Sequence, residues 1–122
     1  VSIKINSNGT QRRSYMYTSD LTTWLWTILF RGQNCEIYNV GSEESITIYE
    51  LAKLVNDISL NKIDIIFNKL SKDEISNDNY VPSTKKAQNK LGIKQTIDLK
   101  SAIERTILHI NENRSKYDIN IS

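Results

Sequence analysis

Apolar and polar residues alternate along this chain with two different periods. The opening VSIKI alternates with period two and predicts a strand. Asn6 to Gly9 (NSNG) is turn chemistry. Arg13 to Thr18 alternates again and places Tyr15 and Tyr17 on one face. The period then lengthens. Leu21, Trp24, Leu25, Ile28 and Leu29 follow the i, i+3, i+4, i+7, i+8 spacing of a helix with a buried stripe. Ser19 or Asp20 is placed to cap that helix and Gly32 to stop it. CEIYNVGS, Cys35 to Ser42, reads as a strand ending in a tight turn at Gly41.

A second helix follows. Thr47 and Glu50 have the spacing of a capping box, and Ile48, Leu51, Ala52, Val55 and Ile58 supply its inner face. KIDIIF, Lys62 to Phe67, is a further strand. Lys69 to Asn79 is polar and predicts a mobile loop. NYVPS is extended, because Pro82 pushes Val81 toward β geometry. TKKAQNKLG is a short helix stopped by Gly92. Asp98 caps a last helix that turns Leu99, Ala102, Ile103, Ile107 and Ile110 inward. Strands thus alternate with helices: a small α/β unit with a few-stranded sheet and about four helices. Residues 1–113 form one domain and 114–122 a frayed tail.

Bulk properties narrow the function classes. A chain of 122 residues fits one domain with a modest core. Net charge is +2, too little for a strong field toward nucleic acid or a membrane surface. Leu21 to Phe30 is the longest apolar run and is too short and threonine-rich to cross a bilayer. No signal-peptide pattern opens the chain. It starts at Val1 directly in a strand pattern, so a longer parent is expected. The one cysteine forms no internal disulfide and suits a cytoplasmic setting.

Candidate chemistry is sparse. Gly9, Gly32, Gly41 and Gly92 make no glycine-rich phosphate loop. One cysteine and one histidine cannot build a zinc site. Cys35 reads as a small buried apolar residue, and His109 as a helix-surface residue that suits the C-terminal dipole. Tyr49 and Lys53 form a Tyr-x-x-x-Lys pattern on one helix face, a spacing that can lower a phenol's pKa for acid–base work. They directly follow the capping box, and the structural reading is preferred: Tyr49 half-buried, Lys53 solvated. Arg12 and Arg13 point to opposite faces of one strand. An arginine fork suits a phosphate by charge and by paired donors. Spacing does not say which of the two meets a ligand. With Tyr15 and Tyr17 they could also form a basic stacking surface for nucleic acid, which the low net charge disfavours.

GTQRRSYMYTSDLTTWLWTILFRGQNCEIYNVGSEESITIYELAKLV, then YVPSTKKAQNKLGI and DLKSAIERTI, resembles the C-terminal half of the extended short-chain dehydrogenases/reductases. These are the NAD-dependent nucleotide-sugar epimerases and dehydratases, with the dTDP-glucose 4,6-dehydratase-like branch nearest. The likeness runs from about Asn8 to Ile110. It implies a small substrate-binding domain of that fold, without the family's Rossmann domain. It implies that Arg13 binds the diphosphate of a nucleotide-diphospho-sugar, with Gln11 and Tyr80 lining the same pocket. Asp20 is implied to be structural, as a helix cap; Asn39 and Gly41 match the family's Tyr-Asn-Val-Gly segment. NAD(P) would be held by the N-terminal Rossmann domain of a longer parent, not by this segment. The parent is expected to be a homodimer, and this chain alone not to be catalytic. A stand-alone binding module derived from such a lobe is the other reading of the same residues.

Overall fold

The computed structural model describes residues 2–59, 63–67 and 79–113. The expected tail, and the polar loop apart from Asn79, lie outside these residues. Two small sheets and four helices make up an α/β fold. β1 (Ser2–Ile5) pairs in parallel with β4 (Asp64–Phe67), Ile3 opposite Ile65 and Ile5 opposite Phe67. β2 (Arg12–Arg13) pairs antiparallel with β3 (Ile46–Thr47). The alternation expected from Arg13 to Thr18 therefore forms a ladder only at its first residue.

Between these strands stand α1 (Thr18–Arg31) and α2 (Ile48–Ile58). α3 (Lys85–Leu91) and α4 (Leu99–Glu112) follow β4. The local start and stop signals act as the sequence predicts. Thr47 and Glu50 close a reciprocal capping box on α2. Asp98 accepts from the Ser101 N–H at 2.9 Å at the head of α4. Gly92 ends α3 in the left-handed region, φ +68°. No helix among the described residues is long and apolar enough to cross a membrane.

Among the described residues the buried apolar side chains are Ile5, Trp24, Ala52, Ala87, Leu91 and Ala102. α1 departs from its expected stripe. Trp24 is 1% exposed and its indole N–H donates to the Lys94 carbonyl, but Leu25, Trp26 and Leu29 are 51%, 55% and 69% exposed. The physical reason is that α1 packs mainly on α3, which is only two turns long and covers one side of it. Trp26 and Phe30 stack on each other outside, with centroids 5.5 Å apart.

Cys35 to Ser42 also departs from the strand reading. Cys35 is exposed in a turn with φ +63°, not buried. A strand needs a neighbour to take its amides and carbonyls, and residues 36–41 join no ladder among the described residues. Their side chains instead tie them to the segment around α3. Glu36 bridges Lys86 and Lys90, and the Lys86 ammonium lies 5.3 Å from the centre of the Tyr38 ring. Asn39 donates to the Ser83 carbonyl at 3.0 Å. Glu43 accepts from the Thr84 amide at 2.7 Å. Gly41 faces Pro82 so closely that a Cβ would come within 2.8 Å of the proline ring.

Asp20 is not the cap of α1. Tyr17 occupies that position with no side-chain cap bond. The buried Asp20 carboxylate accepts from Thr96 N (3.0 Å), Thr96 Oγ1 (2.6 Å) and Ile97 N (2.9 Å). It thereby fastens the first turn of α1 to the segment that leads into α4. Burial alone would push its carboxyl up, but these donors hold it below the usual range.

Two outcomes follow from these carboxylates. Asp20→Ala removes the buried acceptor of three part-buried hydrogen bonds from Thr96 and Ile97, so the chain loses about 1–3 kcal/mol of stability by chemical denaturation. A loss under about 0.5 kcal/mol would contradict the clamp. The hydrogen bonds from Lys86 and Lys90 hold Glu36 at about 2, down from 4.5. A depressed folded-state pKa gives stability that is present above 4.5 and lost as pH falls toward 2. Glu36→Gln should flatten part of the fall in melting temperature across that window; parallel curves for the two proteins would contradict the linkage.

Candidate functional site

The turn from Ser7 to Gln11 builds one wall of an open cleft. Asn8 Oδ1 accepts from the Thr10 amide (3.1 Å) and hydroxyl (2.7 Å), a local Asx turn. Gly9 sits at φ +75°, where a Cβ would be 3.0 Å from Phe67 Cε1 and 3.1 Å from Tyr49 Cβ. Only glycine fits there without strain. The turn is also bonded to the start of α2. Ile48 N donates to Gln11 O at 3.1 Å and Tyr49 N to Gly9 O at 3.0 Å. Those first-turn amides have no partner inside their own helix, so the turn and the helix satisfy each other.

The pairing of β2 with β3 then separates the two arginines. Arg12 Nε donates to Ser45 Oγ at 2.9 Å and Arg12 Nη2 to Ser45 O at 2.8 Å. That guanidinium is committed to the loop before β3. The next side chain along the strand points the other way. Arg13 lines the cleft, whose volume is about 570 Å³, together with Gln11. Arg13 Nη1 also donates to the Arg12 carbonyl at 2.9 Å, which steadies the fork. The opposite wall is the apolar side of α2, with Ile48, Leu51 and Val55.

Gln11 and Arg13 are thus brought together. Tyr80 is placed differently. Its backbone joins β2, bridging Arg13 and donating to Arg12 O at 3.2 Å, but its side chain is 71% exposed and does not line this cleft. Three further polar lining residues were not among the expected site residues: Lys4 of β1, Asn6 and Ser7. Lys4 reaches the cleft through the long-range pairing of β1 with β4, which leaves no local signal. Among the described residues, the charged ones lining the cleft are Lys4 and Arg13, both cationic. The arrangement can hold an anion at one end and an apolar or aromatic group against α2.

The other candidates fall outside this cleft. The Tyr49 ring lies 5.5 Å from that of Phe67, tilted by 51°, and Lys53 is exposed on α2. His109 is exposed in the last turn of α4. A dinucleotide pyrophosphate needs a glycine-rich turn at a helix N-terminus. Gly9 serves the turn just described, Gly41 meets Pro82, and Gly32 and Gly92 end helices. These residues do not fit NAD(P).

No protein-family model matches the chain. It is 26% identical over 113 residues to dTDP-D-glucose 4,6-dehydratase of Mus musculus, covering 89% of this chain and 32% of the mouse protein. The chain thus spans about a third of the length of the curated relatives it matches. Among solved structures it superposes on UDP-glucose 4-epimerase of Thermotoga maritima, crystallised with UDP-glucose, at TM-score 0.81 and 21% identity. That match covers 93% of this chain and 36% of the epimerase. UDP-glucuronic acid 4-epimerase of Bacillus cereus, in complex with NAD, gives TM-score 0.74 and 22% identity over 91% of this chain and 34% of the enzyme. In sequence and in fold, the chain is similar to the C-terminal portion of the extended short-chain dehydrogenases/reductases that act as nucleotide-sugar epimerases and dehydratases.

Proposed function

We propose that this chain is the nucleotide-diphospho-sugar-binding lobe of an NAD(P)-dependent sugar epimerase or dehydratase. One observation carries the reading: Arg12 is bound to Ser45, and Arg13 lines a cleft whose charged residues, among those described, are both cationic. A guanidinium meets two phosphate oxygens at once through its paired donors. Arg13 would anchor the diphosphate, Gln11 would add an amide beside it, and Tyr80 would approach from the neighbouring segment. The apolar wall of α2 would take the flatter parts of the ligand. The chain's contribution is position and binding energy, while bonds are made elsewhere.

Hydride transfer is the chemistry that NAD(P) supplies in this family, and here it would belong to a second, Rossmann-type lobe. The exposed apolar side of α1, with Leu25, Trp26, Leu29 and Phe30, supports a lobe packed against it.

Calorimetric titration with UDP-glucose and dTDP-glucose tests the assignment. Arg13→Ala should weaken binding roughly 10- to 100-fold, the worth of hydrogen bonds to a charged group, with Arg13→Lys in between. Arg12→Ala should lower the melting temperature and leave the affinity of the folded protein within about twofold. If Arg13→Ala binds like the parent sequence, the assignment fails.

A further inference from the structure

Asn8 and Gly9 combine two features that make an asparagine chemically labile. Asn8 is exposed, and the residue after it has no side chain to hinder attack by its nitrogen. The fold needs both residues. Gly9 sits at φ +75°, where a Cβ would come within 3.0 Å of Phe67 Cε1 and 3.1 Å of Tyr49 Cβ. Asn8 supplies the acceptor of the Asx turn. The turn thus carries a labile bond that it cannot shed without strain. While the turn is closed, each reacting group is held. The Gly9 N–H donates to Ser7 Oγ at 3.1 Å. The Asn8 carboxamide oxygen accepts from Thr10 N at 3.1 Å and from Thr10 Oγ1 at 2.7 Å, so its carbon is not free to swing onto the Gly9 nitrogen. Gly9 is buried, and its carbonyl accepts from Tyr49 N at 3.0 Å, which pins the main chain beyond that nitrogen.

We infer that Asn8 is a modification site of this chain: when the 7–11 turn opens, Asn8 converts to isoaspartate, and Ser7 and Thr10 keep it intact while the turn is closed. In the open turn, hydroxide removes the proton of the Gly9 amide. The nitrogen attacks Asn8 Cγ, the Cγ–Nδ2 bond breaks, and ammonia leaves with a proton taken from water. The product is a succinimide ring. Water then opens the ring at one of its two carbonyls. Attack at Cγ gives aspartate. Attack at the main-chain carbonyl carbon of residue 8 routes the peptide bond through the side chain and gives isoaspartate. The net change is water consumed and ammonia released, with nothing oxidised or reduced. The two products differ for the fold. Aspartate keeps an acceptor for Thr10 and leaves the main chain its length. Isoaspartate adds a carbon to the main chain, so Gly9 O and Gln11 O no longer meet Tyr49 N and Ile48 N together. Those first-turn amides of α2 then lack acceptors, and the turn does not reclose. A local opening that is ordinarily reversible thereby becomes permanent. This holds whatever the cleft binds.

The test is to age the full 122-residue chain in mildly alkaline buffer beside a synthetic peptide of residues 4–12. Peptide mass spectrometry, with chromatography that separates the asparagine, aspartate and isoaspartate forms, follows residue 8. The folded chain should form isoaspartate at least about tenfold more slowly than the peptide, because only the opened turn reacts. Urea below the main unfolding transition should speed it toward the peptide rate. Ser7→Ala and Thr10→Ala, each compared with a peptide carrying the same change, should narrow the gap between chain and peptide several-fold. In the aged chain, the isoaspartate form should lose hydrogen-exchange protection at the Ile48 and Tyr49 amides, whereas Asn8→Asp should keep it. The inference is overturned if the folded chain reacts as fast as the peptide, or if residue 8 stays asparagine in the urea-unfolded chain. It is also overturned if the folded Ser7 and Thr10 variants keep the full gap, or if the isoaspartate form protects both amides like the parent sequence. The comparison of chain with peptide and the urea series decide the matter even if neither variant folds.

Discussion

The backbone pairing of Arg12 with Thr47 and of Arg13 with Ile46 organises the candidate site. A strand sends neighbouring side chains to opposite faces, so this register gives Arg12 to Ser45 and Arg13 to the cleft. A slip of one residue would exchange them. The same register brings the 7–11 turn under the first turn of α2, where the amides of Ile48 and Tyr49 need acceptors and find Gln11 O and Gly9 O. The capping box of Thr47 and Glu50 closes the rest of that turn. Strand pairing, helix start and cleft wall therefore form one connected set of hydrogen bonds.

With few fully buried apolar side chains, the remaining segments are joined by carboxylates that reach across the sequence. Asp20 holds the segment at Thr96 and Ile97, Glu36 holds two lysines of α3, and Glu43 holds the amide of Thr84. The Asp20 link is buried and the Glu36 link is wet, so the first contributes more per bond. These links leave Leu25, Trp26, Leu29 and Phe30 of α1 exposed. A lobe seated there would add the burial that a small core does not supply.

Short-range features were legible in the sequence. The Thr47–Glu50 box, the Asp98 cap and the Gly92 stop each depend on residues within one helical turn, and each forms as its spacing implies. Features that depend on distant partners were not legible. Asp20 has the chemistry of a cap, but its partners lie 76 and 77 positions away. Cys35 to Ser42 has the alternation of a strand and no strand beside it among the described residues. The helical stripe of α1 was visible, but the short partner helix that decides how much of it is covered was not. At the site, the two adjacent arginines could be placed on opposite faces from the strand period alone. Assigning one to structure required Ser45, and finding Lys4 and Ser7 required the fold of the whole cleft.

The most direct test of the central claim is the arginine side-chain Nε–Hε spectrum of 15N-labelled chain as UDP is added, with Arg13→Lys used to assign the peaks. The account predicts that the Arg13 resonance moves and saturates while that of Arg12, held by Ser45, stays in place. Movement of Arg12 with Arg13 unchanged, or no movement of either, would contradict it.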